Sequence, residues 1–190
     1  MRQYKMTGSE KADGYSRDAF VGLDEYEKKT VFELLVKELP WSAEWLFYLD
    51  PEKALAVTKQ IEEQSRGNPY AHVYKLQEQI VKYSGDLNYQ KRMIDDFPNY
   101  IDRLKPRVVD AINRTPTTDV KLDFFKQVIL LEANSDAVAR ASQHLLDSLN
   151  ISCEGEREEE YNRLIRALRS DNLTDKKRAI AELRRYGSII

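Results

Sequence analysis

Apolar residues recur three and four positions apart along most of the chain, the spacing that gathers them on one face of a helix. Val31, Leu34, Leu35 and Leu39 form one such stripe, Val73, Leu76, Ile80 and Val81 a second, and Tyr100, Ile101, Leu104, Val108, Val109 and Ile112 a third. Val120, Phe124, Phe125, Val128, Ile129 and Leu131 predict a strongly apolar helix; Val138, Ala141, Leu145, Leu146 and Leu149 predict the next. Strand signals, alternating β-branched runs closed by Asn-Gly or Asp-Gly, do not occur; the one Asp-Gly pair, Asp13-Gly14, lies in a polar segment.

Punctuation between the stripes supports the same reading. Pro40 ends a helix over about 16–39 that is broken near Gly22, and Ser42 caps a short helix carrying Trp45, Leu46 and Leu49. Asp50-Pro51 supplies an N-cap followed by Pro at the first helical position, and Asn68-Pro69 repeats that start signal. Gly67 and Gly85 each follow a periodic segment, where a left-handed residue closes a helix. Asp86 opens the next helix, Pro98 closes it, and Pro106 kinks or divides the one after. Thr117 or Thr118 and then Ser135 cap the following two. Residues 150–155 read as a linker before a final pair over about 156–170 and 175–186. Roughly nine or ten helices result, each amphipathic, so they pair and the pairs must stack to cover what remains apolar. A pair spans about 30–40 residues, the period of helical-repeat arrays. The expected architecture is all-α, antiparallel pairs stacked as a short solenoid over 15–190 behind a flexible tail at 1–14, with an irregular helical bundle as the alternative.

Composition narrows the classes. The 190 residues carry 30 Lys+Arg against 32 Asp+Glu, a formal net charge of −2, with one Cys and two His. One thiol excludes an intramolecular disulfide framework and, with two imidazoles, disfavours a zinc cluster. No apolar stretch reaches the roughly 18 residues of a membrane helix, and residues 1–11 lack an apolar signal core, which points to a soluble, cytoplasmic protein.

The closing segment from Tyr161 to Leu183 alternates an apolar helix, a short Asp/Asn turn and a second helix with Arg178-Ala-Ile and Leu183. It resembles a HEAT-type repeat. Arg17-Asp-Ala-Phe-Val-Gly-Leu is similar to the end of one such unit, and Val31-Phe-Glu-Leu-Leu-Val-Lys-Glu-Leu to the first helix of another. The resemblance covers about a third of the chain; residues 68–134, with Pro98 and Pro106, depart from it. It implies a binding scaffold, most often for proteins, and small acidic bacterial proteins of this kind look like immunity proteins that neutralise a toxin by direct contact.

Catalytic chemistry has little to work with. His72 has no carboxylate at i±4, and His144, with Arg140 at i−4 and Asp147 at i+3, needs only a surface hydrogen bond to explain it. Cys153 stands beside Glu154 and Glu156, which oppose thiolate formation. Asp95-Asp96 and Glu158-Glu159-Glu160 are adjacent carboxylates about 100° apart on a helix, not a two-acid site. No phosphate loop, dinucleotide turn, His-Glu-x-x-His or nucleophile elbow occurs. The expectation is a protein that is not an enzyme, with no catalytic residues, metal or cofactor.

Two kinds of binding remain. Residues 1–50 hold 7 basic and 10 acidic groups, the next two blocks of fifty 7 and 7 each, and 151–190 hold 9 and 8, so no block has the basic excess that a polyanion demands. Arg103, Arg107 and Arg114, at i, i+4 and i+11 on one expected helix face, carry the alternative nucleic-acid reading; Lys176, Lys177, Arg178, Arg184 and Arg185 crowd the last helix. Protein binding fits the inventory better, because eleven Tyr and two Trp exceed ordinary packing needs. Trp41, Trp45 and Tyr48 at i, i+4 and i+7 predict an aromatic face, and Tyr70 with Tyr74 a second; Trp45 is the one best read as a core filler. The expected protein-binding residues are Trp41, Glu44, Tyr48, Tyr70 and Tyr74. For a nuclease toxin, an acidic face from Glu33, Glu38, Glu44 and Asp50 is expected.

Overall fold

The computed structural model describes residues 15–151, 153–154 and 158–186. The expected tail at 1–14 and part of the expected linker at 150–155 lie outside the described residues. Among these residues the secondary structure is helical throughout, with no strand. A 3-10 turn, Arg17–Phe20, precedes α1 (Glu25–Val36), α2 (Ala43–Leu49), α3 (Pro51–Ser65), α4 (Val73–Ser84) and α5 (Asn88–Asp96). After a second 3-10 turn, Phe97–Asn99, come α6 (Lys105–Asn113), α7 (Asp119–Leu131), α8 (Ser135–Ser148), α9 (Glu158–Leu168) and α10 (Leu173–Leu183).

Local chemistry sets most boundaries. Asp24 closes a capping box with Glu27 at the start of α1, Asp50 accepts from the Lys53 amide with Pro51 at the first position of α3, and Thr118 accepts from the Lys121 amide. Gly85 ends α4 at φ +70°, a left-handed conformation that an L side chain resists. Pro106 divides rather than kinks its stripe, because α6 starts at Lys105 and residues 100–104 form the turn before it.

Several expected starts differ in place or in bonding. Asn68-Pro69 does not open a helix. Asn68 accepts from the Tyr70 amide in a tight turn, the Pro69 carbonyl accepts from the Ile101 amide at 3.4 Å, and α4 begins only at Val73. Ser42 stands at the N-cap of α2 as expected, but its side chain makes no capping bond; its hydroxyl donates instead to the Leu35 carbonyl at 2.5 Å and ties α2 to α1. Asn134 rather than Ser135 caps α8, accepting from the Ala137 amide at 2.9 Å and donating to the Asp102 carbonyl at 3.0 Å. Replacing Asn134 with Ala removes both bonds, and the expected loss is about 1–2 kcal/mol of stability, read as a lower urea midpoint at unchanged slope.

Contacts follow chain order. Each helix packs on its successor, and contacts two elements on join α2 to α4, α4 to α6, α6 to α8, and α5 to α7. Beyond the longer connection after Leu149, α9 packs on α8 and α10 on α7. Successive reversals place alternate turns side by side. The turn after α1 meets the turn after α3 through Trp41 and His72, that one meets the turn before α6 through Pro69 and Ile101, and Asp102 meets Asn134 beyond it. On the opposite edge Gln90 donates to Thr115 at 2.6 Å and to the Pro116 carbonyl at 2.7 Å, and accepts from Thr118 at 2.7 Å.

The core is in two parts. Phe20, Val31, Leu35, Leu46, Phe47 and Ala54 make a small N-terminal cluster, whereas the larger one runs from Tyr74 through Met93, Ile112, Phe125 and Leu145 to Leu183. Between them lies a polar seam. The buried face of α3 is Ala54, Thr58 and Glu62, at i, i+4 and i+8, rather than Leu55 and Ile61, which are half-buried. Gln77 of α4 donates to Glu62 at 2.9 Å and to Asp96 of α5 at 3.0 Å; Arg92 bonds Glu62 at 2.8 Å and Arg66 bonds Asp96 at 2.9 Å. Three helix-borne charges, Arg66 at the end of α3 and one amide thus join α3, α4 and α5 beside the turns at 66–72 and 97–101.

Candidate functional site

The edge formed by those turns gathers side chains from three separate segments. Trp41, in the turn before α2, keeps 58% of its surface exposed while its ring lies 4.5 Å from that of His72. The Lys75 ammonium, one turn into α4, sits 4.2 Å from the Trp41 ring centroid, a cation–π contact. His72 Nδ1 is 3.1 Å from the Tyr74 hydroxyl, which Arg107 also approaches. Tyr74 itself is buried, and its amide donates to the hydroxyl of Tyr100. Arg103, from the turn before α6, and Arg107, from the first turn of α6, are both exposed. Tyr70 stands 66% exposed on the same turn as His72.

These charges repel. Burial, then Lys75, Arg107 and Arg103, hold the His72 imidazole below its ordinary titration range. Burial also lowers Lys75, and Arg107 and Arg114 lower it further, against the opposing pull of Glu78. Among the described residues Lys75, Arg103 and Arg107 form no ion pair, whereas Arg66, Arg92, Lys105, Arg114, Arg140 and Arg163 each do. The first turns of both α4 and α6 lack an acidic residue, so the helix dipoles add to the positive field rather than oppose it. What sets this edge apart is that three like charges without a carboxylate partner among the described residues stand together beside exposed aromatic rings and a half-buried imidazole, an arrangement expected where a protein meets a ligand.

The expected site residues are thereby redistributed. Trp41 and Tyr70 lie on one edge and are exposed. Tyr74 is buried at 2% exposure and supports the edge from beneath, which corrects its expected place as a contact residue. The expected Trp41–Trp45–Tyr48 stripe is split: α2 begins at Ala43, so Trp41 precedes the helix and its ring goes to His72. Trp45 stacks on Phe20 at 5.1 Å, as a core filler, and Tyr48 lies 5.8 Å from the same Phe20 ring. Glu44 is exposed in the first turn of α2. Arg103, Arg107 and Arg114 do not act as one face. Arg114 follows the end of α6 and makes a bidentate pair with Glu78 at 2.6 and 2.7 Å, while the other two remain with His72. The expected acidic face is interrupted: Asp50 is spent on its cap and on Lys53 at 2.8 Å, and Lys28, Lys29 and Lys53 share the hollow lined by Glu33.

Other places offer less. A groove of about 280 Å³ between α5 and α7 is lined by Phe97, Phe124, Val128 and the exposed Leu131, but its charges, Lys105 and Glu132, neutralise each other at 2.9 Å. Besides that pair, the exposed amide of Gln127 is the one polar side chain in its lining, too little to fix a ligand's orientation. His144 Nε2 bonds Asp110 at 2.8 Å and Arg140 bonds the same carboxylate at 2.9 Å, a structural triad, while His144 Nδ1 is buried without a hydrogen-bond partner among the described residues. Among the described residues no three His, Cys, Asp or Glu side chains gather as a metal site, and no described helix is long and apolar enough to cross a membrane. His72 was missed as a site residue because its aromatic and cationic neighbours come from other helices, and the one local signal was Lys75 at i+3. No family model, curated protein or solved structure matches the chain, so the fold and this edge are the grounds on which a function can be argued.

Proposed function

We propose that this protein is a non-enzymatic scaffold, a short HEAT-like stack of helix pairs, that binds another protein through the turn edge carrying Trp41 and Tyr70. The observation that carries the reading is the pair of large aromatic side chains left more than half exposed on adjoining turns, 58% for Trp41 and 66% for Tyr70. Tyr and Trp bury much area with few rotamers to freeze, and for that reason dominate the energetics of protein interfaces. Neutralising a toxin, as a bacterial immunity protein does, is the specific form that the resemblance of Tyr161–Leu183 to a HEAT repeat supports, with the cytoplasm as the place of action. Nucleic-acid binding is the second reading, favoured by the unpaired Arg103 and Arg107; against it, the third arginine of that set is engaged by Glu78.

The test is site-specific cross-linking. A photoreactive phenylalanine analogue at position 70 is expected to capture a protein in cells of the source organism. Trp41→Ala should lower that yield about tenfold or more with the thermal midpoint little changed, since the ring is mostly exposed. Capture of nucleic acid alone, or of a protein whose yield ignores Trp41, would defeat the proposal.

A further inference from the structure

The edge described above has a definite electrostatic character that goes beyond protein binding in general. Three cations, Lys75, Arg103 and Arg107, surround one imidazole, and none of them has a carboxylate partner among the described residues. They come from two different segments, α4 and the start of α6, whose contact is enforced by the buried Tyr74 and Tyr100. Trp41 forms one wall: His72 lies against its ring, Lys75 over it, and it is still 58% exposed. A partner arriving here must bring negative charge, because any other leaves three mutually repelling cations desolvated without compensation.

We infer that the edge made by Trp41, His72, Lys75, Arg103 and Arg107 is a docking site for an acidic linear segment of a partner protein, two or more carboxylates meeting the cations while its backbone or an apolar side chain covers the Trp41 ring. This rests on the protein-binding reading and names the chemistry of its partner. An acidic peptide fits better than a nucleic acid for a reason of extent. A phosphate backbone is followed by cations spaced along a groove, each contributing to counterion release. Here the cations are confined to one cluster, and further ones, Lys105, Arg114 and Arg140, are already paired with Asp102, Glu78 and Asp110, so they are not free to follow a strand continuing past it. A short acidic segment needs no such continuation.

The test uses the full chain and defined probes: hexaglutamate, the oligonucleotide dT8, hexalysine and inorganic phosphate. In a Trp45→Phe variant Trp41 is the sole tryptophan, so its fluorescence reports the site, and the His72 ring signal, assigned by its loss in His72→Asn, gives a second reading. Hexaglutamate at low salt is expected to change Trp41 fluorescence saturably and to move the pH midpoint of His72 upward, as carboxylates replace cations in its surroundings. Arg103→Ala with Arg107→Ala should weaken that binding about tenfold or more. The charge-reversed pair, Arg103→Glu with Arg107→Glu, should lose hexaglutamate and gain hexalysine, an outcome that a merely unfolded variant does not produce. No response of Trp41 or His72 to hexaglutamate overturns the inference. So does tighter binding of dT8 at equal ionic strength, or an equal response to inorganic phosphate at the same concentration of charge. Capture at position 70 of a partner with no acidic segment would leave the protein-binding scaffold standing and remove only the acidic docking site.

Discussion

Glu62→Ala is expected to destabilise the protein by about 3–5 kcal/mol, and to do so unevenly along the chain. Glu62 is fully buried, and its two oxygens accept from Gln77 at 2.9 Å and Arg92 at 2.8 Å. Removing it takes one of two acceptors from the buried Gln77 amide, which keeps only Asp96 at 3.0 Å, and leaves Arg92 held only by Glu63 at 2.7 Å. Truncating one member of a buried charged network costs more than the network itself contributes, because the remaining groups have already lost their water. The second consequence follows from where the seam lies. The small N-terminal cluster is joined to the large one through α3, α4 and α5, and the polar bonds are much of that join. Trp41 and Trp45 both sit on the N-terminal side, so tryptophan fluorescence reports that part, while far-UV circular dichroism reports all the helices. In the parent chain the two urea transitions should coincide. In Glu62→Ala the fluorescence midpoint should fall below the dichroism midpoint, as the smaller cluster unfolds first. Coincident transitions with an unchanged midpoint would show that the seam does not couple the two clusters. Since the turns at 66–72 and 97–101 rest on the same network through Arg66 and Asp96, loss of binding at the Trp41 edge should accompany the early phase.

Lys121 gives the second large effect, and it appears with pH. Its ammonium is buried at 2% exposure and donates to the carbonyls of Asn113 at 2.6 Å and Thr115 at 2.8 Å, closing the end of α6 with no carboxylate to balance it. Burial pushes it down to about 8 from an ordinary 10.5. Between those values the unfolded chain still holds the proton and the folded one has released it. Stability from this group therefore rises with pH across the window, by about 3 kcal/mol when complete, and the penalty of a buried charge is present in full below pH 8. In Lys121→Met the contribution is absent, so the stability of the parent minus that of the variant should grow by this amount from pH 8 to 10.5. Titration of the other lysines and tyrosines cancels in the difference. A difference independent of pH would mean that the two carbonyls hold the ammonium charged despite its burial.

Much of the helical content was legible in local chemistry. Periodic apolar stripes name nearly every element, and the cap at Asp50, the cap at Thr118 of the two threonines expected, the stop at Gly85 and the division at Pro106 stand where local backbone chemistry requires. Lys121 was also within reach, because it stands at i−3 and i−4 from Phe124 and Phe125 and at i−7 from Val128, the buried face of α7; the expected Val120 is half exposed instead. The Ser42 hydroxyl is taken by the Leu35 carbonyl seven residues back, which no local rule supplies, whereas Asn68 makes a local turn to the Tyr70 amide, a use of the same residue type that competes with a helix start. The candidate site was legible only in part. The sequence points to Trp41 and Tyr70, but it does not separate them from the buried Tyr74, because a tyrosine beside a helix start reads alike whether a neighbouring helix covers it or not.

An all-helical protein whose pairs pack in chain order follows from the sequence by itself, because helix periodicity, caps and short turns act over a few residues. Which charges remain without partners was decided by the tertiary structure alone. Arg103, Arg107 and Arg114 are equivalent as a sequence pattern, yet Arg114 meets Glu78 across 36 residues of chain while the other two meet His72 and Lys75. Coulomb energy depends on distance in space, and folding brings that distance to a few ångströms for some pairs and not for others, so the field at the Trp41 edge exists only once the helices have packed.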